Sequence, residues 1–343
     1  MTDAGSAAGL PDVIRLGTRR SALAMAQSGM VARDLEAVTG RRVELVQIVS
    51  EGDTTRASLA SLGGTGVFAT RLREALLAGE CDLLVHSLKD LPTAPAPGLV
   101  IAATPRRADA RDVIITRDGT RLEDLPAGSR VGTGSPRRIA QVRAANPGVE
   151  IHDLRGNVDS RMARVRDGEL DAIVLAAAGL SRLGADIDLH VEPRDLVAWP
   201  TAAGQGVLAV ETRADAAPAL LEALRRLDDP VTRYAQEVER TILAGIEAGC
   251  HAPVGVHAFL DGDRMRVRAD VLGADPAQTV ATDEDVLIGT ISAAGAEGYS
   301  RDSGSADGDA PGATPRASDI GHEIARRLLA AGASELISGP STL

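Results

Sequence analysis

Two arginine-bearing segments, Val131–Arg138 (VGTGSPRR) and Leu154–Arg161 (LRGNVDSR), share one layout. Each follows a short apolar run expected to be a strand, Ser129–Gly132 and Val149–Leu154. Each leads into a helical pattern, Ile139–Ala145 and Val158–Arg166. Open α/β sheets bind ligands where strands hand over to helices. Glycine there lets backbone approach an anion, and helix N-termini supply donors. Arginine adds a planar fork for carboxylate or phosphate. The formal net charge is −11, so arginine gathered at two such turns points to a small polyanion. A general nucleic-acid binder would carry a broad basic surface instead.

Three further positions carry chemistry. The apolar run Cys81–Val85 ends in His86-Ser87-Leu88-Lys89-Asp90, with Pro92 fixing the exit. A carboxylate amid cations stabilises a cationic intermediate or moves a proton; a plain surface ion pair is the competing reading. Cys250 lies in Glu247–Pro253 (EAGCHAP), a turn of small residues after a helix. An accessible, activated thiol and a structural thiol both remain open there. Cys81 reads as a core residue. No metal site is expected: Cys250-His251 lacks two further ligands at sensible spacing, and His322-Glu323 lacks a second histidine. Gly63-Gly64-Thr65-Gly66 is not followed by the Lys-Ser/Thr of a phosphate loop.

The elements that must position these residues follow a βα rhythm. Val13–Gly17 reads as a strand and Ser21–Val38 as a helix, with Ser21 at its cap and Gly40 beyond its end. Val43–Val49, Cys81–Val85 and Leu99–Ala103 read as strands, and Phe68–Ala78 as a helix. Such alternation marks parallel βα units. The polar stretch Pro105–Asp112 looks like a crossing into a second βα series running from Val113 to about Leu189, with a strand at Ala172–Leu175. Gly204-Gln205-Gly206 then leads into a strand, Val207–Glu211, that returns to the first domain. Two crossings suit a ligand cleft on a hinge. Further on, a helix at Val231–Ala244 precedes the Cys250 turn. Strands Val256–Leu260 and Met265–Val271 flank Asp261-Gly262-Asp263, a hairpin signal. A last helix, Ile320–Ala331, completes a small α+β domain, and Ala293–Ala317, rich in Gly, Ser, Ala and Asp, reads as an insertion.

The expected architecture is therefore α/β: two hinged βα domains and a small C-terminal α+β domain. Domain 1 spans 1–106 and 205–226, domain 2 spans 107–204, and domain 3 spans 227–343. At 343 residues the chain is long enough for two or three cores. Aromatics are limited to Phe68, Trp199, Tyr234, Phe259 and Tyr299, leaving little surface for stacking nucleobases. Met1–Pro11 lacks a basic start and an apolar run, so no signal peptide is expected. No segment has the roughly 20 apolar residues of a membrane helix. Two cysteines make no disulfide framework, which fits a reducing cytoplasm.

Taken together, these segments resemble the hydroxymethylbilane synthase (porphobilinogen deaminase) family. The matching stretches are Gly17–Ser21 (GTRRS), Gly63–Phe68, Val85–Leu91 (VHSLKDL), Val131–Arg138, Leu154–Val158 with Arg161, Ala176–Gly184 (AAAGLSRLG), Ala203–Gly206, and Glu239-Arg240 through Pro253. They occur in family order across about Arg15–Leu260. The resemblance implies two periplasmic-binding-protein-like domains and a third domain carrying a dipyrromethane cofactor, joined by a thioether at the position of Cys250. It implies that four porphobilinogen molecules lose ammonia and condense head to tail on this primer, and that hydrolysis releases linear hydroxymethylbilane. Every pyrrole carries an acetate and a propionate, which accounts for the arginines. By the same resemblance Ser21, Lys89, Ser135, Arg137 and Arg138 bind the cofactor; Arg19, Arg155, Arg161 and Arg182 bind substrate; and Asp90 is the catalytic carboxylate beside pyrrole nitrogens. A monomer acting on a small molecule, without nucleic acid or membrane, is expected.

Some positions depart from the family pattern. Ser61 and Thr65 stand where many relatives have lysine, Ala248 where a glycine is usual, and Ala252 where a branched residue is usual. The rival class is a bilobal organic-anion binder without catalysis. The missing signal peptide and the cysteine on an appended domain weigh against it.

Overall fold

The computed structural model describes residues 9–48, 66–184, 187–248, 252–273, 275, 278–289, 291 and 314–338. In chain order the first elements are β1 (Val13–Thr18), α1 (Ala22–Thr39), β2 (Arg42–Gln47), α2 (Gly66–Leu77), β3 (Leu83–Ser87) and β4 (Leu99–Ala103). They are followed by β5 (Asp112–Thr116), β6 (Arg130–Gly132), α3 (Pro136–Ala145), β7 (Glu150–His152), α4 (Val158–Arg166), β8 (Ala172–Ala176), α5 (Ala177–Leu183) and β9 (His190–Pro193). The chain then forms β10 (Leu208–Arg213), α6 (Pro218–Arg225), α7 (Pro230–Gly245), the strands β11 (Val254–Asp261), β12 (Arg264–Leu272) and β13 (Thr279–Leu287), and the helices α8 (Ala317–Ala330) and α9 (Ala333–Ser338).

These elements group into two compact units. One comprises the residues up to Ala108 with Val207–Arg233; the other comprises Asp109–Gly206 with the residues from Tyr234 onward.

The first unit is built on a five-stranded sheet in the order β2-β1-β3-β10-β4. Strand β1 runs parallel to β2 and β3, whereas β10 returns antiparallel to both β3 and β4. The core joins Ile14 and Leu16 of β1, Leu35 of α1, Leu83 of β3, Val210 of β10 and Leu220 of α6. As the sequence suggests, the Ser21 side chain caps α1, accepting from the Ala24 amide at 3.3 Å, and Gly40 closes it in the left-handed region. Gly17 is needed for a different reason. A Cβ there would lie 2.7–2.8 Å from Leu84 Cδ2, Cys81 Sγ and Ile48 Cδ1.

The second unit repeats the pattern in the order β7-β6-β8-β5-β9. Strands β7, β6 and β8 are parallel, and β5 is antiparallel to β8 and β9. In each sheet the fourth strand is the antiparallel one and enters directly after a chain crossing, the layout of a periplasmic-binding-protein-like fold. The same unit holds the antiparallel sheet β11-β12-β13. Its core pairs Tyr234, Val238 and Ile242, spaced four apart on α7, with Met265, Val267, Ala269 and Val271, alternating on β12, and with Ile320, Ile324 and Leu328 of α8. Segments 107–204 and 227–343, expected as separate domains, are linked by hydrogen bonds: the Val256 amide donates to the backbone Thr201 O at 2.7 Å, and the Gly204 amide to the side-chain Glu239 Oε2 at 2.7 Å.

Two local differences from the sequence-based expectation bear on function. Helix α3 starts at Pro136, so Arg137 and Arg138 belong to its first turn rather than to the preceding loop; proline at the first helical position suits such a start. Strand β7 stops at His152, leaving Asp153–Asn157 as a loop ahead of α4.

Candidate active site

In each unit the residues singled out from sequence follow the carboxyl ends of parallel strands. Arg19 and Ser21 follow β1, and Lys89 and Asp90 follow β3, on one edge of the first sheet. Ser135, Arg137 and Arg138 follow β6, Arg155 and Arg161 follow β7, and Arg182 lies in α5 after β8, on one edge of the second.

On the first edge, Lys89 and Asp90 form a single 3-10 turn, Leu88–Asp90. Leu88 is fully buried and anchors the turn, its amide bonded to Val207 O at 3.0 Å. Lys89 is half-buried and Asp90 exposed. The strand beneath is fixed by a network that sequence reasoning missed. Arg73 grips the buried Glu211 carboxylate through Nε and Nη2 at 2.8–3.2 Å, and His86 Nε2 lies 3.2 Å from Glu211 Oε2. Burial pushes the Glu211 carboxyl up, but His86 and Arg73 outweigh it and hold the group below its ordinary range. Gln27 Nε2 donates to Ser87 Oγ at 2.9 Å, and Ser28 Oγ to Thr18 Oγ1 at 2.8 Å. These bonds join α1 to the strand ends that carry Arg19, Ser21 and the Lys89-Asp90 turn.

On the second edge the two arginine segments lie side by side. A Cβ on Gly134 would come within 3.0 Å of Asp153 Oδ1 and 3.8 Å of Arg155 Cζ. Arg155 is exposed and paired with Asp153 at 2.8 Å. Arg161 Nε donates to Gly156 O at 2.8 Å. Ser135 occupies the N-cap position of α3 without a capping bond from its side chain.

Arg137 and Arg138 point inward. Both are more than nine-tenths buried, and both bind Asp112, the first residue of β5: Arg137 Nη1 donates to Oδ2 at 2.9 Å and Arg138 Nη2 to Oδ1 at 2.6 Å. The expectation of two arginines simply presented to a ligand is thus changed, because each guanidinium already holds an internal carboxylate. Burial pushes the Asp112 carboxyl up, but the two arginines overcome it and keep the group ionised far below the ordinary carboxylate range. Arg138 Nε remains buried with no hydrogen-bond partner.

Arg182 is the contrasting case. Its Nη2 donates to Gly206 O at 2.7 Å, and its Nε is buried and without a partner. Gly206 adopts φ 85°, a conformation open to glycine at low cost. Among the described residues no carboxylate pairs with Arg182, and burial alone pulls its pKa down from the ordinary arginine range to about 10. A half-buried cation without a counter-ion is costly unless an anion arrives.

Sequence reasoning did not find Asp112, Gln205 or Trp199. They converge on one point from distant positions with no local spacing to reveal them; the single signal is that Asp112 and Gln205 flank the two expected crossings. Cys250, with Ser61 and Thr65, lies outside the described residues. The described chain reaches Ala248 just past α7 and resumes at Ala252 ahead of β11.

Known proteins resemble this chain over nearly its whole length. The family profile described as porphobilinogen deaminase, dipyromethane cofactor binding domain, matches residues 14–220. The profile for the porphobilinogen deaminase C-terminal domain matches residues 234–330. Porphobilinogen deaminase 1 of Streptomyces coelicolor is 51% identical over 336 residues, covering 94% of this chain and 97% of its own. The porphobilinogen deaminase of Leifsonia xyli is 48% identical over 326 residues, covering 94% of each. With both profiles and nearly the whole length matched, the chain belongs to the porphobilinogen deaminase family.

Proposed function

We propose that the chain condenses four porphobilinogen molecules head to tail, with loss of ammonia, and releases linear hydroxymethylbilane for tetrapyrrole synthesis. We further propose that its dipyrromethane cofactor is held by Cys250. The observation that carries the reading is Arg182: a half-buried guanidinium with no carboxylate partner among the described residues, on the same sheet edge as Arg137 and Arg138.

The side chains fit the cofactor's chemistry. Asp112 supplies one negative charge against the two positive charges of Arg137 and Arg138, leaving one net positive charge, and Arg138 Nε lacks a partner. A pyrrole bearing acetate and propionate would supply what this cluster lacks. Arg137, Arg138, Lys89, Ser135 and Ser21 would hold the cofactor, and Arg19, Arg155, Arg161 and Arg182 the substrate carboxylates. When bound, dipyrromethane supplies a pyrrole carbon as nucleophile and an anchor for the growing chain.

The protein's own part is electrostatic. Arginine forks orient each incoming pyrrole by its carboxylates. Asp90, raised on its turn by the buried Leu88, stabilises the positive charge that develops on the substrate pyrrole as ammonia leaves. The same carboxylate accepts a hydrogen bond from the substrate pyrrole N–H, which holds that ring in place as its ammonia leaves. Among the described residues no helix is long and apolar enough to cross a membrane, and we place the enzyme in the cytoplasm as a monomer acting on a small molecule without nucleic acid.

The test is stoichiometric. Purified protein incubated with porphobilinogen should release four ammonia for each porphyrin obtained after acid treatment and oxidation. Porphobilinogen bound but recovered unchanged would support a non-catalytic organic-anion binder instead.

A further inference from the structure

Asp112 opens β5, and its side chain is completely buried. Both oxygens are filled by four donors. Oδ1 accepts from Arg138 Nη2 at 2.6 Å and Gln205 Nε2 at 2.9 Å; Oδ2 accepts from Arg137 Nη1 at 2.9 Å and Trp199 Nε1 at 3.1 Å. A carboxylate has about four acceptor sites, so Asp112 has none left for a ligand, and any effect it has on one is indirect.

That effect has three parts. Asp112 neutralises one of two adjacent positive charges. It also fixes their direction: Arg137 is held further by Gln141 Oε1 at 2.6 Å and Pro200 O at 3.2 Å, and Arg138 by Val174 O at 3.1 Å. Finally, Gln205, which also donates to Ala110 O at 2.8 Å, adjoins Gly206, whose carbonyl receives Arg182 Nη2. One short stretch of backbone therefore connects the arginine pair to the separate arginine of α5.

Building on the function proposed above, we propose that Asp112 is a positioning residue for the reaction. It aims Arg137 and Arg138 at the cofactor, leaves them a single net charge to match a ligand carboxylate, and through Gln205 and Gly206 keeps Arg182 in register with them. A purely structural buried ion pair would affect only folding.

Three variants separate these roles. Asp112→Asn keeps the volume but removes the charge and two acceptor sites. Asp112→Glu restores the charge on a longer arm. Gln205→Leu leaves Asp112 ionised and cuts its link toward Gly206. Each is purified as folded protein, verified by circular dichroism, and its intact mass read for the two-pyrrole increment; KM and kcat for porphobilinogen are then measured separately. We expect folded Asp112→Asn to carry the increment in fewer than about one molecule in ten and Asp112→Glu to recover it in part. Gln205→Leu should carry it fully but show a KM raised about tenfold, the scale of one charge-assisted hydrogen bond, with kcat within about twofold. Folded Asp112→Asn that is fully loaded, or Gln205→Leu with wild-type KM, overturns the proposal. If Asp112→Asn does not fold, the Gln205→Leu KM decides. A wild-type protein without the increment would overturn the proposed function itself, a different outcome from either.

Discussion

Replacing Arg182 by methionine should weaken substrate binding while leaving the fold as stable as before, or more so. Burial pulls the guanidinium pKa from its ordinary value down to about 10; at about 1.4 kcal/mol for each pH unit, carrying this charge costs the folded state at most about 3.5 kcal/mol. Partial solvation makes that an upper bound. Against it stands the bond to Gly206 O, and a hydrogen bond from a charged donor contributes about 1.5–3 kcal/mol. The net change on Arg182→Met is at most about 2 kcal/mol in favour of the variant, since methionine retains most of the apolar packing. For a chain of this size that raises Tm by up to a few degrees, at roughly 2–4 °C per kcal/mol. The same linkage fixes the sign with pH: the folded value lies below the ordinary one, so the burial penalty on Arg182 is present in full at neutral pH and lifts only as pH rises above about 10. For substrate, the loss of a carboxylate contact should raise KM about 10- to 100-fold. Calorimetry and initial rates on the purified variant test both halves. A Tm lowered by more than about 5 °C, or an unchanged KM, would refute the argument that this cation is kept for an anion.

Asp90→Asn should keep its circular dichroism and a KM within a few-fold of wild type while kcat falls about 100-fold or more, with Asp90→Glu retaining part of the activity; near-normal turnover by the Asn variant would reduce Asp90 to an ion-pair partner. Because the Asp112 carboxyl is depressed in the folded protein, its contribution is present above the ordinary carboxylate value and lost as pH falls below about 4. Urea denaturation from pH 5 to 2.5 should therefore show a steeper loss for wild type than for Asp112→Asn, and parallel slopes would contradict this. Gly17→Ala drives a Cβ to 2.7 Å from Leu84 Cδ2 and should cost about 1–3 kcal/mol in urea unfolding, the usual range for overpacking; a change under about 0.5 kcal/mol would show that the pocket yields.

The parts of this fold that sequence revealed were those with strong local signals. Ser21 and Gly40 bracket α1 because caps depend on residues a few positions apart, and the β11–β12 hairpin follows from alternation around Gly262. Strand β13 (TVATDEDVL) was missed because its exposure merely alternates between partial and full, so half-buried valines stand among acidic residues and no apolar run appears. The start of α3 was placed three residues late because Pro136-Arg137-Arg138 has the composition of a loop, although proline is also a helix-starting residue. At the site, motif spacing located the arginines but said nothing of what they would meet inside the protein. Asp112, Trp199 and Gln205 come together only through the two crossings and the packing of β5, a tertiary event with no sequence period.

Intact-mass measurement of three purified proteins decides whether Cys250 holds a pyrrole primer on which substrate is polymerised. Wild type should be heavier than its sequence by one two-pyrrole unit; Cys81→Ala, whose thiol is buried and pushed up to about 11 chiefly by burial, should keep that increment; and Cys250→Ala should lack it and be inactive. An unmodified wild-type protein with full activity, or an increment that survives Cys250→Ala, would show that Cys250 does not hold the primer.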